Sequence, residues 1–139
     1  RGLAVVNTIH KAKGLEWDRV YLLSLNNYDF PAGSPQDSYR SERDWIRGGL
    51  NLQAELLAQL KALASDDPVG LYLPEGEATL ADRLDYISER ARVLYVGITR
   101  ARQQLVVTWN TGRRGDMRPA VLFSMLANFL EEGRDAASG

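Results

Sequence analysis

The sequence predicts an α/β fold in which a small, mainly parallel sheet is flanked by helices and carries a helical insertion. Three observations predict it. Apolar, β-prone segments at residues 3–9, 20–25 and 104–109 alternate with helical patterns, the order that builds layered α/β domains. These segments border two clusters of charged and small residues, at 8–18 and 95–102. The 139 residues, 45% of them hydrophobic, suffice for one ordinary core.

Residues 3–9 are almost continuously apolar, as expected of a strand buried on both faces. Polarity then changes abruptly, and residues 10–18 read as a loop containing Gly14 before a strand at 20–25. Residues 26–39 hold two prolines, a glycine and several Asn, Asp and Ser residues, which is turn chemistry. A first helix is expected after Asn51 as N-cap, with Glu55 in its first turn. Its apolar stripe is Leu56, Leu57, Leu60, Leu63 and Ala64, and Ser65-Asp66-Asp67-Pro68 stops it.

A second helix begins near Thr79, with Leu80, Leu84, Ile87, Ala91, Leu94 and Tyr95 at helical spacing. Gly97 near its end suggests termination or a close approach. The strand at 104–109 leads into a basic, glycine-punctuated loop at 112–118. Pro119 is placed as the first residue of a last helix, with Val121, Leu122, Met125, Leu126, Phe129 and Leu130 on its apolar face and Gly133 ending it. One unit is therefore expected over 1–134, with an insertion at about 27–77 and a frayed tail at 135–139.

Composition excludes several function classes. The formal net charge of −1 argues against a surface that binds nucleic acid everywhere, so any such contact is a local patch. With no cysteine and one histidine there is no disulfide framework, thiolate metal site or multi-histidine cage. No metal ligands are expected. The lack of cysteine fits a reducing compartment, and a cytoplasmic location is expected. No apolar run approaches the roughly 20 residues needed to cross a bilayer, so no membrane partner is expected. The abrupt entry into an apolar segment after Arg1 suggests a piece of a longer polypeptide.

Two clusters remain as candidate chemistry. Thr8 and His10 lie two apart at a strand end and are expected to point to the same face, with Lys13 just beyond; a hydroxyl, an imidazole and an ammonium on one face suit successive phosphates of a nucleic-acid strand. The alternative is a solvated loop with a capping threonine. Glu16 precedes a strand, where a carboxylate can accept from ribose hydroxyls; the alternative is a surface carboxylate paired with a nearby Lys or Arg. Arg100 offers a permanently charged planar fork able to stabilise charge on a transferring γ-phosphoryl group. Arg90, Arg92 and Arg102 are expected to include structural partners for Glu89, Asp85 or Asp82.

The first cluster, Thr8-Ile9-His10-Lys11-Ala12-Lys13-Gly14-Leu15-Glu16-Trp17-Asp18, and the second, Glu89-Arg90-Ala91-Arg92-Val93-Leu94-Tyr95-Val96-Gly97-Ile98-Thr99-Arg100-Ala101-Arg102, together resemble motifs V and VI of the UvrD/Rep-type superfamily 1 ATP-dependent DNA helicases. The resemblance implies the C-terminal part of the second RecA-like, P-loop NTPase-type motor domain. By that resemblance, Gly14, Glu16 and Arg100 belong to the ATP site, Glu16 at the ribose and Arg100 at the γ-phosphate as the catalytic residue. Thr8, His10 and Lys13 would lie along DNA.

It further implies ATP and Mg2+ as ligands of the full-length enzyme, none held tightly by this chain alone. Single-stranded DNA and an N-terminal motor domain of the same protein are the implied partners, with a protein partner at the insertion. The sequence departs from the family pattern in lacking motifs I to IV, including the Gly-x-x-x-x-Gly-Lys-Ser/Thr phosphate loop, so hydrolysis by this chain alone is not expected. Arg90 stands where many relatives carry a glutamate, and the stretch 27–77 exceeds the usual connection. The competing expectation is a stand-alone, non-catalytic nucleic-acid- or protein-binding module.

Overall fold

The computed structural model describes residues 3–34, 37, 39–65, 73–115 and 117–138, with side chains as far as residue 134. It divides into two compact units, one formed by 1–32 with 89–139 and the other by 33–88.

The first unit is built on β1 (Trp17–Leu22), which pairs in parallel with β4 (Ala101–Val107). The register sets Trp17 beside Ala101 and Leu22 beside Val107, and it shifts between Trp17 and Arg19, which pairs with Gln104. Both strands begin three residues earlier than their apolar content predicts, because the amide of Trp17 donates to the Arg100 carbonyl at 2.9 Å and opens the ladder there. β1 ends at Leu22 because Ser24 adopts a left-handed backbone (φ 62°). The chain then rejoins the sheet direction irregularly, Leu25 N–H donating to Thr108 O at 2.8 Å.

Leu22, Leu25, Phe30, Leu94 and Ala120 form the core of this unit, with Ile9, Val20, Ile98, Leu105, Val107, Leu122 and Phe123 packed around it. Leu94 comes from α2 (Glu77–Ile98), the helix whose second half leads into β4. Gly97 lies in that helix, and a Cβ there would stand 3.1 Å from Leu22 Cδ2 and 3.3 Å from Ile9 Cδ1. The close approach expected of it is thus observed, one residue before the helix ends.

Other expectations are corrected. Residues 3–8 form no strand; they are exposed, Val6 at 98%, and Ile9 enters a 3-10 turn at His10–Ala12. β propensity expresses fit to a pleated, half-buried surface, and among the described residues no strand lies in register beside this segment. Pro119 does not open the last helix. It bridges Asn26, and α3 runs over Val121–Ser138. Gly133 does not end α3, since one helical glycine costs only about 1 kcal/mol relative to alanine and good helix formers flank it.

The second unit contains an unforeseen antiparallel hairpin of β2 (Ile46–Arg47) and β3 (Leu50–Asn51), followed by α1 (Leu52–Ala64). Asn51 caps α1 as expected, its Oδ1 accepting from the amides of Gln53 and Ala54 at 3.1 and 3.2 Å. Its Nδ2 donates to Asp82 Oδ2 at 3.1 Å, and its amide donates to Thr79 Oγ1 at 3.0 Å. Thr79 in turn donates to Glu55 Oε1, from its hydroxyl at 2.6 Å and its amide at 2.9 Å. The start of α1 and the start of α2 are thereby stitched by one buried polar network.

The apolar stripe of α1 faces the other way from the expectation. Ala62 is 7% exposed, with Ala54 and Ala58 half-buried beside it, whereas Leu63 is 62% exposed and Leu52, Leu56, Leu57 and Leu60 are also outside. Helix periodicity identifies a face but not its neighbour, and in this unit α1 packs by its small residues. α2 behaves similarly, burying Leu94 and exposing Leu80, Leu84 and Tyr95. The expected stop of α1 at Asp66, Asp67 and Pro68 lies outside the described residues.

Candidate functional site

The loop from Thr8 to Glu16 is held by its own backbone. Ala12 N–H donates to Thr8 O and Ile9 O at 3.1 Å, and Leu15 N–H donates to Ala12 O at 3.0 Å. Gly14 supplies the left-handed backbone that closes the turn (φ 83°), and a Cβ there would meet nothing within 4 Å. Its requirement is therefore conformational. Ala12 is buried, which pins the loop and leaves Thr8, His10 and Lys13 exposed along one short stretch. Thr8 and His10 do not share a strand face, because the chain turns between them. Thr8 Oγ1 accepts from the Lys11 amide at 3.4 Å, the capping role weighed above as the alternative.

Arg100 lies just beyond α2 and reaches back across the site. Its Nε donates to Val96 O, its Nη1 to Leu15 O and its Nη2 to Thr99 Oγ1, each at 3.0 Å. The Val96 carbonyl lies in the last turn of α2, where backbone acceptors lack helical partners and the helix end favours a cation. Arg100 thus caps the helix and ties its end to the loop. A guanidinium has five N–H donors, so two remain for an anion.

Glu16 follows Leu15, and its Oε2 accepts from Arg102 Nε at 3.0 Å. The pair is open to water, the Arg102 and Glu16 side chains being 62% and 48% exposed. Among the described residues the carboxylate accepts nothing else. Arg102 therefore serves Glu16 rather than the acidic residues of α2 expected for it. Arg90 is corrected likewise: Nε donates to Asp29 O at 2.6 Å and the guanidinium lies 4.6 Å from the centre of the Phe30 ring. Arg83, not singled out by spacing, makes a bidentate pair with Glu42 in the second unit, Nη2 to Oε2 at 3.0 Å. The Glu42 hydrogen bond raises the Arg83 pKa above its ordinary value.

The structure therefore brings Arg100, Leu15, Glu16 and Arg102 together, with the Thr8–Lys13 loop directly upstream. An open groove of about 640 Å3 in the same unit is walled mostly by apolar residues, among them Val6, Leu23 and Leu94, and Thr8 and Arg100 also line it. His10, Lys13 and Glu16 do not line it. Glu16 thus has the Lys or Arg partner weighed as its alternative, but sequence reasoning named neither Arg102 nor the Leu15 carbonyl, because each contact joins residues far apart in the chain.

A family model described as the UvrD-like helicase C-terminal domain matches residues 4–112, and that span includes every residue of this constellation. The chain belongs to the UvrD-like helicase C-terminal domain family. No curated protein matches it. Membership agrees with the mixed α/β architecture of a parallel sheet flanked by helices, the RecA-like helicase type. It makes the function of this UvrD-like domain helicase-related. Among the described residues no helix is long and apolar enough to cross a membrane.

Proposed function

We propose that this UvrD-like domain is the C-terminal part of the second motor domain of an ATP-dependent DNA helicase that moves on single-stranded DNA. The observation that carries it is the Arg100 bridge. One guanidinium, with two N–H donors to spare, joins the end of α2 to the loop bearing Thr8, His10 and Lys13. A γ-phosphate drawing on Arg100 would therefore act directly on the loop proposed to lie along DNA. Coupling of this kind needs an element on which both ligands pull.

In this proposal Glu16 accepts from the ribose and Arg100 stabilises charge on the γ-phosphate, while Gly14 closes the loop between the two duties. The phosphate loop would come from an N-terminal motor domain. Mg2+ would accompany the ATP phosphates on the side of that N-terminal motor domain. The exposed leucine face of α1 supports a protein partner at the inserted unit.

The test is Arg100→Ala in the full-length native protein, measuring DNA-stimulated ATP turnover and nucleotide affinity separately. Turnover should fall about a thousandfold, the scale of losing a phosphate-directed arginine, while ATP affinity changes far less. Unchanged turnover would reject the assignment. The second reading, a non-catalytic binding module, is favoured by Arg100 and Glu16 each having partners within the chain. It predicts no ATP turnover by the native protein, with or without DNA.

A further inference from the structure

We propose that Arg102 is a positioning residue that holds the Glu16 carboxylate ready for a nucleotide ribose; this rests on the reading of Glu16 as the ribose acceptor.

The strand register creates the arrangement. Trp17 lies beside Ala101 at the head of the parallel pair, so the residues flanking that pair, Glu16 before β1 and Arg102 within β4, become neighbours. Two arginines then grip consecutive residues of the loop end: Arg100 takes the Leu15 carbonyl and Arg102 the Glu16 carboxylate. The grip on Glu16 is single. Nε engages Oε2 alone, and among the described residues Oε1 accepts no hydrogen bond.

A carboxylate offers about four lone-pair sites, so the Arg102 contact leaves room for a hydroxyl donor while fixing where the acceptor stands. Without Arg102, Glu16 is a half-exposed flexible side chain with no described partner, and its rotamers must be ordered when nucleotide binds. Preordering therefore acts on nucleotide affinity, and the chemical step is left to Arg100.

The experiment measures KM and kcat of DNA-stimulated hydrolysis by the full-length native protein for ATP, 2′-deoxyATP and 3′-deoxyATP. Wild type is compared with Glu16→Gln, Arg102→Ala and Arg102→Lys. Arg102→Ala should raise KM for ATP roughly two- to fivefold, the range for an exposed ion pair, and move kcat little. The rise should disappear for the analogue lacking the contacted hydroxyl, shrink in Arg102→Lys, and not add to that of Glu16→Gln.

If Glu16→Gln raises KM and Arg102→Ala does not, Glu16 binds ribose without help and the positioning role is wrong. Equal rises with all three nucleotides would make Arg102 a structural residue, which also overturns the proposal. If Glu16→Gln leaves KM and sugar discrimination unchanged, the ribose reading itself is lost. Arg102 is 62% exposed at its side chain, so its variants should fold, and a thermal melt checks that they do.

Discussion

Arg100 donates from Nη1 to the carbonyl oxygen of Leu15, 85 positions earlier in the chain, at 3.0 Å. With its bonds to Val96 O and Thr99 Oγ1, this makes one side chain responsible for a helix end and a loop at once. Arg100→Gln should therefore lower the stability of the first unit as well as any chemistry. Hydrogen bonds from a charged group are individually worth about 1.5–3 kcal/mol, and solvent access reduces the loss here to about 2 kcal/mol in all. Arg100→Lys should recover little of it, because an ammonium cannot span three divergent acceptors. Urea unfolding of the three proteins checks this, and a midpoint for Arg100→Gln equal to wild type would contradict it.

Gly97 is placed by contact rather than by backbone conformation. Alanine would gain about 1 kcal/mol in helix propensity, but its Cβ would stand 3.1 Å from Leu22 Cδ2 and 3.3 Å from Ile9 Cδ1. Leu22 is a buried member of the core and has little room to yield. Overpacking costs about 1–3 kcal/mol, so Gly97→Ala should destabilise by about 1 kcal/mol net and Gly97→Val by more. The opposite order of denaturation midpoints would show that Leu22 and Ile9 move aside freely.

What the sequence discloses of this fold follows how local each determinant is. The Asn51 cap is read correctly because its bonds to Gln53 and Ala54 span two and three residues. α2 is read correctly in extent because its period persists over many turns. The outward leucines of α1 could not be read, since periodicity places Leu56, Leu60 and Leu63 on one face without saying which neighbour is near. The same holds at the site. Motif spacing singles out Glu16 and Arg100, but the Glu16–Arg102 pair depends on the β1–β4 register, which no local pattern encodes. The apolar stretch at 3–8 fails for a related reason: a strand needs a ladder partner, whatever its own propensity.

Tyr39 gives the second unit a pH dependence with a definite sign. Burial, chiefly, raises its phenol pKa above the ordinary 10.0, reinforced by Asp37 and Glu42 and opposed by the Arg83 guanidinium. That guanidinium lies 5.2 Å from the ring centre, and Tyr86 meets the same ring edge-on. A pKa higher in the folded than in the unfolded state means that the unfolded chain loses the proton first. The stabilisation is then complete below pH 10.0 and is lost as pH rises through the folded value. Thermal melts from pH 8 to about 11 should fall more steeply for wild type than for Tyr39→Phe. Parallel curves would show that the phenol titrates alike in both states.

The DNA-facing assignment of the Thr8–Lys13 loop makes a prediction about salt rather than about affinity alone. Lys13 is exposed on a loop fixed from within by the buried Ala12, so its loss should not disturb the fold. Each phosphate neutralised on a single strand contributes about 0.7 to the slope of log affinity against log salt. Lys13→Ala should therefore weaken single-stranded DNA binding by the full-length native protein and reduce that slope by about 0.7. A residue that merely shaped the loop would weaken binding equally at every salt concentration. A titration series at several salt concentrations separates the two, and an unchanged slope removes Lys13 from the phosphate track whatever happens to the affinity.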